Sequence, residues 1–177
     1  MIINGQNMNA EIIQTMINSI HKPAIFIDTQ YTILAVNEAY KDMYENEVMI
    51  GNSRCFEISH GHTSPCDKHG EECPIQICRE TERASSVVHI HNTSQGKTYC
   101  DILMKPIKDA DGITTGFLEI LDNINFAAAD SQADKMIGSS EPFKNMLTKI
   151  NRAAKSEIAV LLHGETGTGK ELVAKAL

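Results

Sequence analysis

No stretch of this 177-residue sequence reaches the ~18 uninterrupted apolar residues that a membrane-spanning helix needs. The N-terminus, MIINGQNMNAEIIQ, has no basic segment followed by a long apolar run, so it does not read as a secretory signal. Positive charge is scarce too. A formal net charge of −7 argues against gripping nucleic acid or an anionic membrane by charge alone. Internal repeats and low-complexity tracts are missing, which sets aside solenoids and arrays. The expectation is a soluble cytoplasmic protein, in which the five cysteines are thiols, ligands or redox groups before they are disulfides. The 42% hydrophobic fraction suffices for a packed core, and the length fits one domain plus a remainder, or two small ones.

What is present is ordered along the chain. Ile12, Ile13, Met16, Ile17 and Ile20 share one helical stripe before Pro23. AIFID and YTILAV, separated by TQ, read as a strand hairpin. Asn37 can cap the helix EAYKDMYE, and Pro74 opens a short helix, PIQICRETE. SSVVHIHN alternates, with Val88 and Ile90 on one face and Val87, His89 and His91 on the other. The two histidines are expected on a solvated face. KTYCDILMKPI and ITTGFLEILDNI follow as strands, and Cys100 is expected as a small core residue. The fold class is therefore α+β: five antiparallel strands with helices on one face, over residues 8–124. Residues 125–135, NFAAADSQADK, read as a helical linker. A capped helix, SSEPFKNMLTKINRAA, and a buried strand, EIAVLLH, come after it.

The segment CFEISHGHTSPCDKHGEECPIQIC holds four cysteines and three histidines in 24 residues, too dense for an ordinary loop. Thiolate and imidazole ligands suit zinc, an iron–sulfur cluster or copper. Cys55, Cys66, Cys73 and Cys78 are the thiol candidates, with His60 as a fourth ligand in place of Cys78. Cys78 lies within the helix opened by Pro74 and is turned away from Cys73. No C-x-x-C knuckle is present, which excludes a standard zinc finger, and no C-x-x-C-H, which excludes c-type haem attachment. Buried packing, a metal-free redox dithiol and a merely polar loop stay open as alternatives.

GETGTGK, residues 164–170, fits the G-x-x-x-x-G-K phosphate loop. Gly164, Glu165, Thr166, Gly167, Thr168 and Gly169 supply a turn whose N–H groups face an anion, and Lys170 supplies a charge for the β- and γ-phosphates. Glu171 stands where the general pattern has the Ser or Thr that binds Mg²⁺.

Residues 136–177, MIGSSEPFKNMLTKINRAAKSEIAVLLHGETGTGKELVAKAL, closely resemble the opening of the α/β AAA+ domain in bacterial activators of sigma-54 RNA polymerase, where an acidic residue follows the lysine. Residues 8–124 resemble a PAS domain, with the hairpin PAIFIDTQYTILAVNEAYKDMY and the closing strand GITTGFLEILDNI. The resemblance implies ATP with Mg²⁺ as ligand, sigma-54 polymerase as partner, self-association, and DNA contact only through a further C-terminal domain. It also implies a PAS module that senses a redox, metal or small-molecule signal. The acidic metal-binding strand, sensor residues and arginine finger of such ATPases are not in this sequence, so no catalytic residue is assigned and negligible ATP hydrolysis by the chain itself is expected. Two rivals are a stand-alone metal- or ligand-binding module and the sensor part of another phosphate-loop enzyme, such as a kinase.

Overall fold

The computed structural model describes residues 4–128 and 135–177. Helix α1 (Asn4–Asn18) leads into the hairpin β1 (Ala24–Asp28) and β2 (Ile33–Val36), then α2 (Glu38–Met43) and α3 (Cys55–His60). A 3₁₀ turn at Cys66–His69 and helix α4 (Pro74–Thr81) precede β3 (Ser85–Thr93), β4 (Gly96–Lys108) and β5 (Thr114–Asn123). The five strands form one antiparallel sheet in the order β2-β1-β5-β4-β3.

Alternation along each strand divides the side chains between two faces. One face carries Ile25, Ile27, Val87, Cys100, Ile102, Met104, Phe117 and Leu121, covered by α2, α3 and α4 through Tyr40, Phe56, Ile58 and Ile75. Cys100 is fully buried in this core. The opposite face is covered in two places. Ile13, Ile17 and Ile20 from α1 and its C-terminal turn lie on Ala24, Phe26, Ala35, Leu118 and Ile120. Ile12 and Met16, members of the same sequence stripe, face solvent.

Asn37 shows how local sequence positions a helix. Its Oδ1 accepts from Tyr40 N at 3.0 Å, the N-cap bond, and from Ala24 N at 3.0 Å. Its Nδ2 donates to Ile20 O at 2.8 Å and Lys22 O at 2.7 Å. One buried amide thus ties α2, β1 and the end of α1 together.

The linker does not form the expected helix where it is described. Ala127–Ala128 (β6) pairs in parallel with Met136–Ile137 (β7), and residues 129–134 lie outside the described residues. Helix α5 (Glu141–Ala153) follows, capped by Ser140 Oγ, which accepts from Phe143 N at 3.4 Å. Phe143, Met146, Leu147 and Ile150 fall on one helical face and pack on Val88, Ile90, Tyr99 and Ile124. Polar contacts hold the same helix down. Asn151 Nδ2 donates to Asp101 Oδ2 at 2.8 Å, and Lys155 pairs with Asp122 just beyond the helix. Replacing Ser140 by alanine is expected to lower stability by about 0.5–1 kcal/mol, read as faster amide exchange in the first turn of α5. Unchanged exchange there would show that the cap contributes nothing.

Residues 157–163, expected as a buried strand, form none. Ile158, Val160 and Leu161 are exposed, Leu161 by 91%. A buried parallel strand needs a neighbouring edge for its hydrogen bonds and a helix over its face. Neither sheet among the described residues includes it. Helix α6 (Lys170–Ala176) closes the chain.

Candidate functional site

On the α2–α4 side of the sheet, the chain between α3 and α4 folds over a small cavity. Cys55, His60, Cys66, Cys73, His89, His91 and Glu119 line it. Its volume is about 20 Å³, space for one water-sized guest and far below the ~300 Å³ at which drug-sized ligand pockets begin. Flavin and haem do not fit such a space.

Each wall has a local origin. His60 is the last residue of α3, where Gly61 turns the chain in the left-handed conformation. Cys66 opens the 3₁₀ turn, and Cys73 is the residue before Pro74 that begins α4. His89 and His91 alternate with Val88 and Ile90 along β3, so they share the covered face with Val87. They are only 2% and 1% exposed. The solvated face expected for them is therefore a core face, because α3 and the following loop lie across it.

The three imidazoles converge. His60, His89 and His91 bring one nitrogen each to within 4.8 Å of one another, the one such set of three ligand groups among the described residues. His60 Nε2 and His89 Nδ1 are 3.4 Å apart. The other ring nitrogens are anchored: His60 Nδ1 to Ile90 O at 3.2 Å, His89 Nε2 to Glu72 O at 2.8 Å, and His91 Nδ1 to the Tyr44 hydroxyl at 2.7 Å. His91 Nε2 is buried with no partner. Burial, reinforced by the neighbouring imidazoles, pushes His91 well below the usual histidine range and His60 down to about 4; burial lowers His89 as well. All three are neutral at pH 7.

Glu71 sits beside them. Its Oε2 lies 3.7 Å from His89 Nδ1 and 3.9 Å from His60 Nδ1, and its Oε1 accepts from Lys144 Nζ at 2.8 Å. Burial alone would raise its carboxyl, but its neighbours outweigh that and hold it below the ordinary range. His89, as it protonates in acid, and the Lys144 ammonium are the neighbours responsible. His62 and His69 stack at 3.8 Å outside His60, forming an outer wall.

The thiols behave differently from one another. Cys66 and Cys73 are hydrogen-bonded together. That bond, with backbone N–H groups of Gln76 and Ile75, holds Cys73 down to about 7 against its burial, while Cys66 is driven up. Burial raises Cys55 well above a free thiol. Cys78 lies outside the cavity wall, its Sγ 3.4 Å from Ser85 Oγ and 3.5 Å from Met104 O. All five cysteines are free of disulfides and buried. Of the sequence-derived ligand set, Cys55, His60, Cys66 and Cys73 thus surround one cavity and Cys78 does not. His89, His91 and Glu71 went unrecognised in the sequence. The clue was the His-x-His spacing on a strand, which puts two imidazoles on one face.

The phosphate loop is a second candidate site. Gly167 and Gly169 have φ of +83° and +82°, conformations that favour glycine and turn backbone N–H groups to one side. Lys170 Nζ donates to Gly164 O at 2.9 Å and also to Glu165 O, and Thr168 Oγ1 donates to Glu165 O at 2.8 Å. Thr166, Gly167, Gly169, Lys170, Glu171 and Leu172 line an open hollow at the start of α6. Donors and lysine suit a polyphosphate, and Glu171 lies beside them in the same hollow.

Comparison with known proteins agrees with this architecture. Residues 17–125 match the PAS fold family and residues 136–177 match the Sigma-54 interaction domain family. The transcriptional regulatory protein ZraR of Escherichia coli K12 is 37% identical over 82 residues, 44% of this chain and 18% of that protein. The formate hydrogenlyase transcriptional activator of Salmonella typhimurium LT2 is 48% identical over 48 residues, 27% of this chain and 7% of that protein. The anaerobic nitric oxide reductase transcription regulator NorR of Aliivibrio fischeri is 37% identical over 76 residues, 43% and 14%. The chain thus spans less than a fifth of the length of these relatives. Among solved structures, a phage VqmA–DPO complex superposes with a TM-score of 0.52 at 10% identity, covering 92% of this chain and 65% of the other. The RsLOV d2 variant also reaches 0.52, at 11% identity, with coverage of 70% and 69%. These likenesses show the fold alone. Residues 17–125 make up more than half of the sequence, so the chain belongs to the PAS-fold family, and its residues 136–177 match the Sigma-54 interaction domain family.

Proposed function

We propose that this chain is the sensory and nucleotide-binding front of an activator of sigma-54 RNA polymerase. One observation carries the reading. Glu71, in the loop over the thiol–imidazole cavity, forms an ion pair with Lys144 of α5, the first helix of the sigma-54 interaction segment. Lys144 is 8% exposed, so this link is buried rather than a loose surface contact. A change at the cavity therefore bears directly on the segment that leads to the phosphate loop.

The cavity supplies two receiving chemistries. Cys73, thiolate-prone beside Cys66, is suited to oxidation or to thiolate ligation, with Cys55 behind it. The sequence-derived ligand set of Cys55, His60, Cys66, Cys73 and Cys78, for zinc or an iron–sulfur cluster, belongs to this reading; Cys78 would have to leave its place against Met104 to join it. ATP with Mg²⁺ would bind at Gly164–Glu171, where the nucleotide supplies the free energy for remodelling polymerase. Lys170 would exchange the carbonyls of Gly164 and Glu165 for the phosphates, and the N–H groups of residues 165–170 would orient them. Self-association and contact with sigma-54 polymerase are part of this reading; the match of residues 136–177 to the Sigma-54 interaction domain family supports the polymerase contact.

The test uses a chain in which residues 136–177 continue into a complete sigma-54 interaction domain. Lys170→Ala is expected to weaken ATP binding by ~10–100-fold and to abolish sigma-54-dependent transcription. Lys144→Met is expected to change how strongly the PAS segment alters transcription while leaving ATP affinity in place. Full sigma-54-dependent transcription by the Lys170→Ala protein would overturn the reading.

A further inference from the structure

His60, His89 and His91 are arranged as ligands are arranged, not as packing residues. Ile90 O and Glu72 O can only accept hydrogen bonds, so the nitrogens facing them, His60 Nδ1 and His89 Nε2, carry the ring hydrogens. A neutral imidazole has one such hydrogen. His60 Nε2 and His89 Nδ1 are therefore bare lone pairs, and they face each other at 3.4 Å. Two lone pairs at that distance repel unless a cation lies between them. His91 adds a third nitrogen, Nε2, buried and without a partner. The Tyr44 hydroxyl can donate or accept; in the tautomer where it accepts from His91 Nδ1–H, Nε2 presents its lone pair.

The spacing fits a metal. Ligand atoms ~2.0–2.1 Å from a tetrahedral centre stand roughly 3.3–3.4 Å apart. The His60–His89 nitrogen pair is already at that separation, and the third nitrogen is within 4.8 Å. Each ring has the outer hydrogen-bond partner that orients metal-bound histidines: two backbone carbonyls and a tyrosine hydroxyl. Glu71 Oε2 lies 3.7 Å from His89 Nδ1, outside the three-nitrogen set, and would have to move inward to become the fourth ligand. A proton is the competing cation, and metal titration separates the two.

The geometry points to a single divalent first-row transition-metal site made by His60, His89 and His91 with Glu71; it takes His60 away from the cysteine-centred ligand set and so replaces that set as the metal site of this cavity. Nitrogen and carboxylate donors without sulfur suit Zn²⁺, Fe²⁺ or Co²⁺. The site stands on its geometry; its regulatory consequence rests on the sensory reading above. Glu71 is shared between the ion and Lys144, so loading the site draws on the contact that holds α5. Lys144, a cation beside a dication, in turn opposes loading. By linkage, whatever binding does to α5, α5 does to binding.

The test uses the whole 177-residue chain, stripped with chelator and titrated with Co²⁺ and Zn²⁺ without oxygen. One equivalent of Co²⁺ is expected, with visible d–d bands and no thiolate-to-metal charge transfer. X-ray absorption of the zinc-loaded protein is expected to show N/O neighbours at ~2.0–2.1 Å and no sulfur at ~2.3 Å. Both measurements use the unaltered protein, so they do not depend on whether a variant folds. Glu71→Gln and Tyr44→Phe are expected to weaken binding by ~10–100-fold, and Lys144→Met to tighten it. Sulfur in the first shell, or no uptake by the folded chain, would overturn the site and leave the sensory reading standing. Uptake as described, with sigma-54-dependent transcription indifferent to metal in a chain carrying the complete domain, would keep the site and remove its regulatory role.

Discussion

Replacing Asn37 by alanine is expected to lower the unfolding free energy by ~3–5 kcal/mol, a large part of the ~5–15 kcal/mol typical of a whole domain. The side chain makes four hydrogen bonds, and it is 3% exposed. Losing the N-cap alone costs about 1 kcal/mol. The remaining loss comes from the partners. Ala24 N–H and the carbonyls of Ile20 and Lys22 would be left without the amide, and an unsatisfied buried group costs ~1–3 kcal/mol. Urea unfolding of the chain measures the total. Asn37→Asp separates two accounts. Aspartate is as good an N-cap as asparagine, so a residue that merely caps α2 would tolerate it. Here the amide nitrogen faces two carbonyl oxygens, and a carboxylate oxygen in its place would repel both. Asn37→Asp is therefore expected to be nearly as damaging as Asn37→Ala, and a mild effect would confine the residue to capping.

The second large effect depends on pH. Glu119 is on β5, 4% exposed, with Oε1 buried and partnerless. Burial, with Cys73 nearby, raises its carboxyl from 4.5 to about 8. The folded protein therefore holds a proton that the unfolded chain releases at much lower pH. Between about 4.5 and 8 the native state binds more protons than the unfolded state, so this residue's contribution falls as pH rises. At ~1.36 kcal/mol per unit, the full loss above pH 8 is of order 4–5 kcal/mol. Glu119→Gln cannot lose that proton. With chelator present, the variant and the native chain are expected to have similar stability near pH 4.5. The variant should then become the more stable by several kcal/mol at pH 8–9. Parallel stability curves across that range would show that the carboxyl titrates normally in the folded protein.

The strands and the helix caps were legible because they are local. Alternation marks a strand within a few residues, and Asn37, Pro74 and Ser140 act on the turn beside them. The site was half legible. The crowd of cysteines and histidines between residues 55 and 78 announced chemistry, and four of the five proposed ligands line one cavity. His89 and His91 were misjudged because a period of two separates faces without saying which is covered. In β3 both are covered: Val88 and Ile90 by α5, the histidines by α3 and its loop. Glu71 gave no signal at all. It is one acid in a polar loop, and its decisive partner, Lys144, lies 73 residues further on. The failure at 157–163 has the opposite origin. Its apolar run is strand-like, but a strand exists only with a partner to pair with.

The packing of α5 on the sheet has a consequence for how the chain comes apart. By sequence likeness that helix is part of the sigma-54 interaction segment, yet its apolar side completes the core around Val88, Tyr99 and Ile124. Asn151 and Lys155 add polar anchors on Asp101 and Asp122. The family boundary is thus not a boundary of cooperativity. Slow-exchanging amides of α5 and of β3 and β4 should open in the same event, as one unit of local unfolding. A polypeptide cut after the linker would keep every PAS strand and lose part of the free energy that holds them.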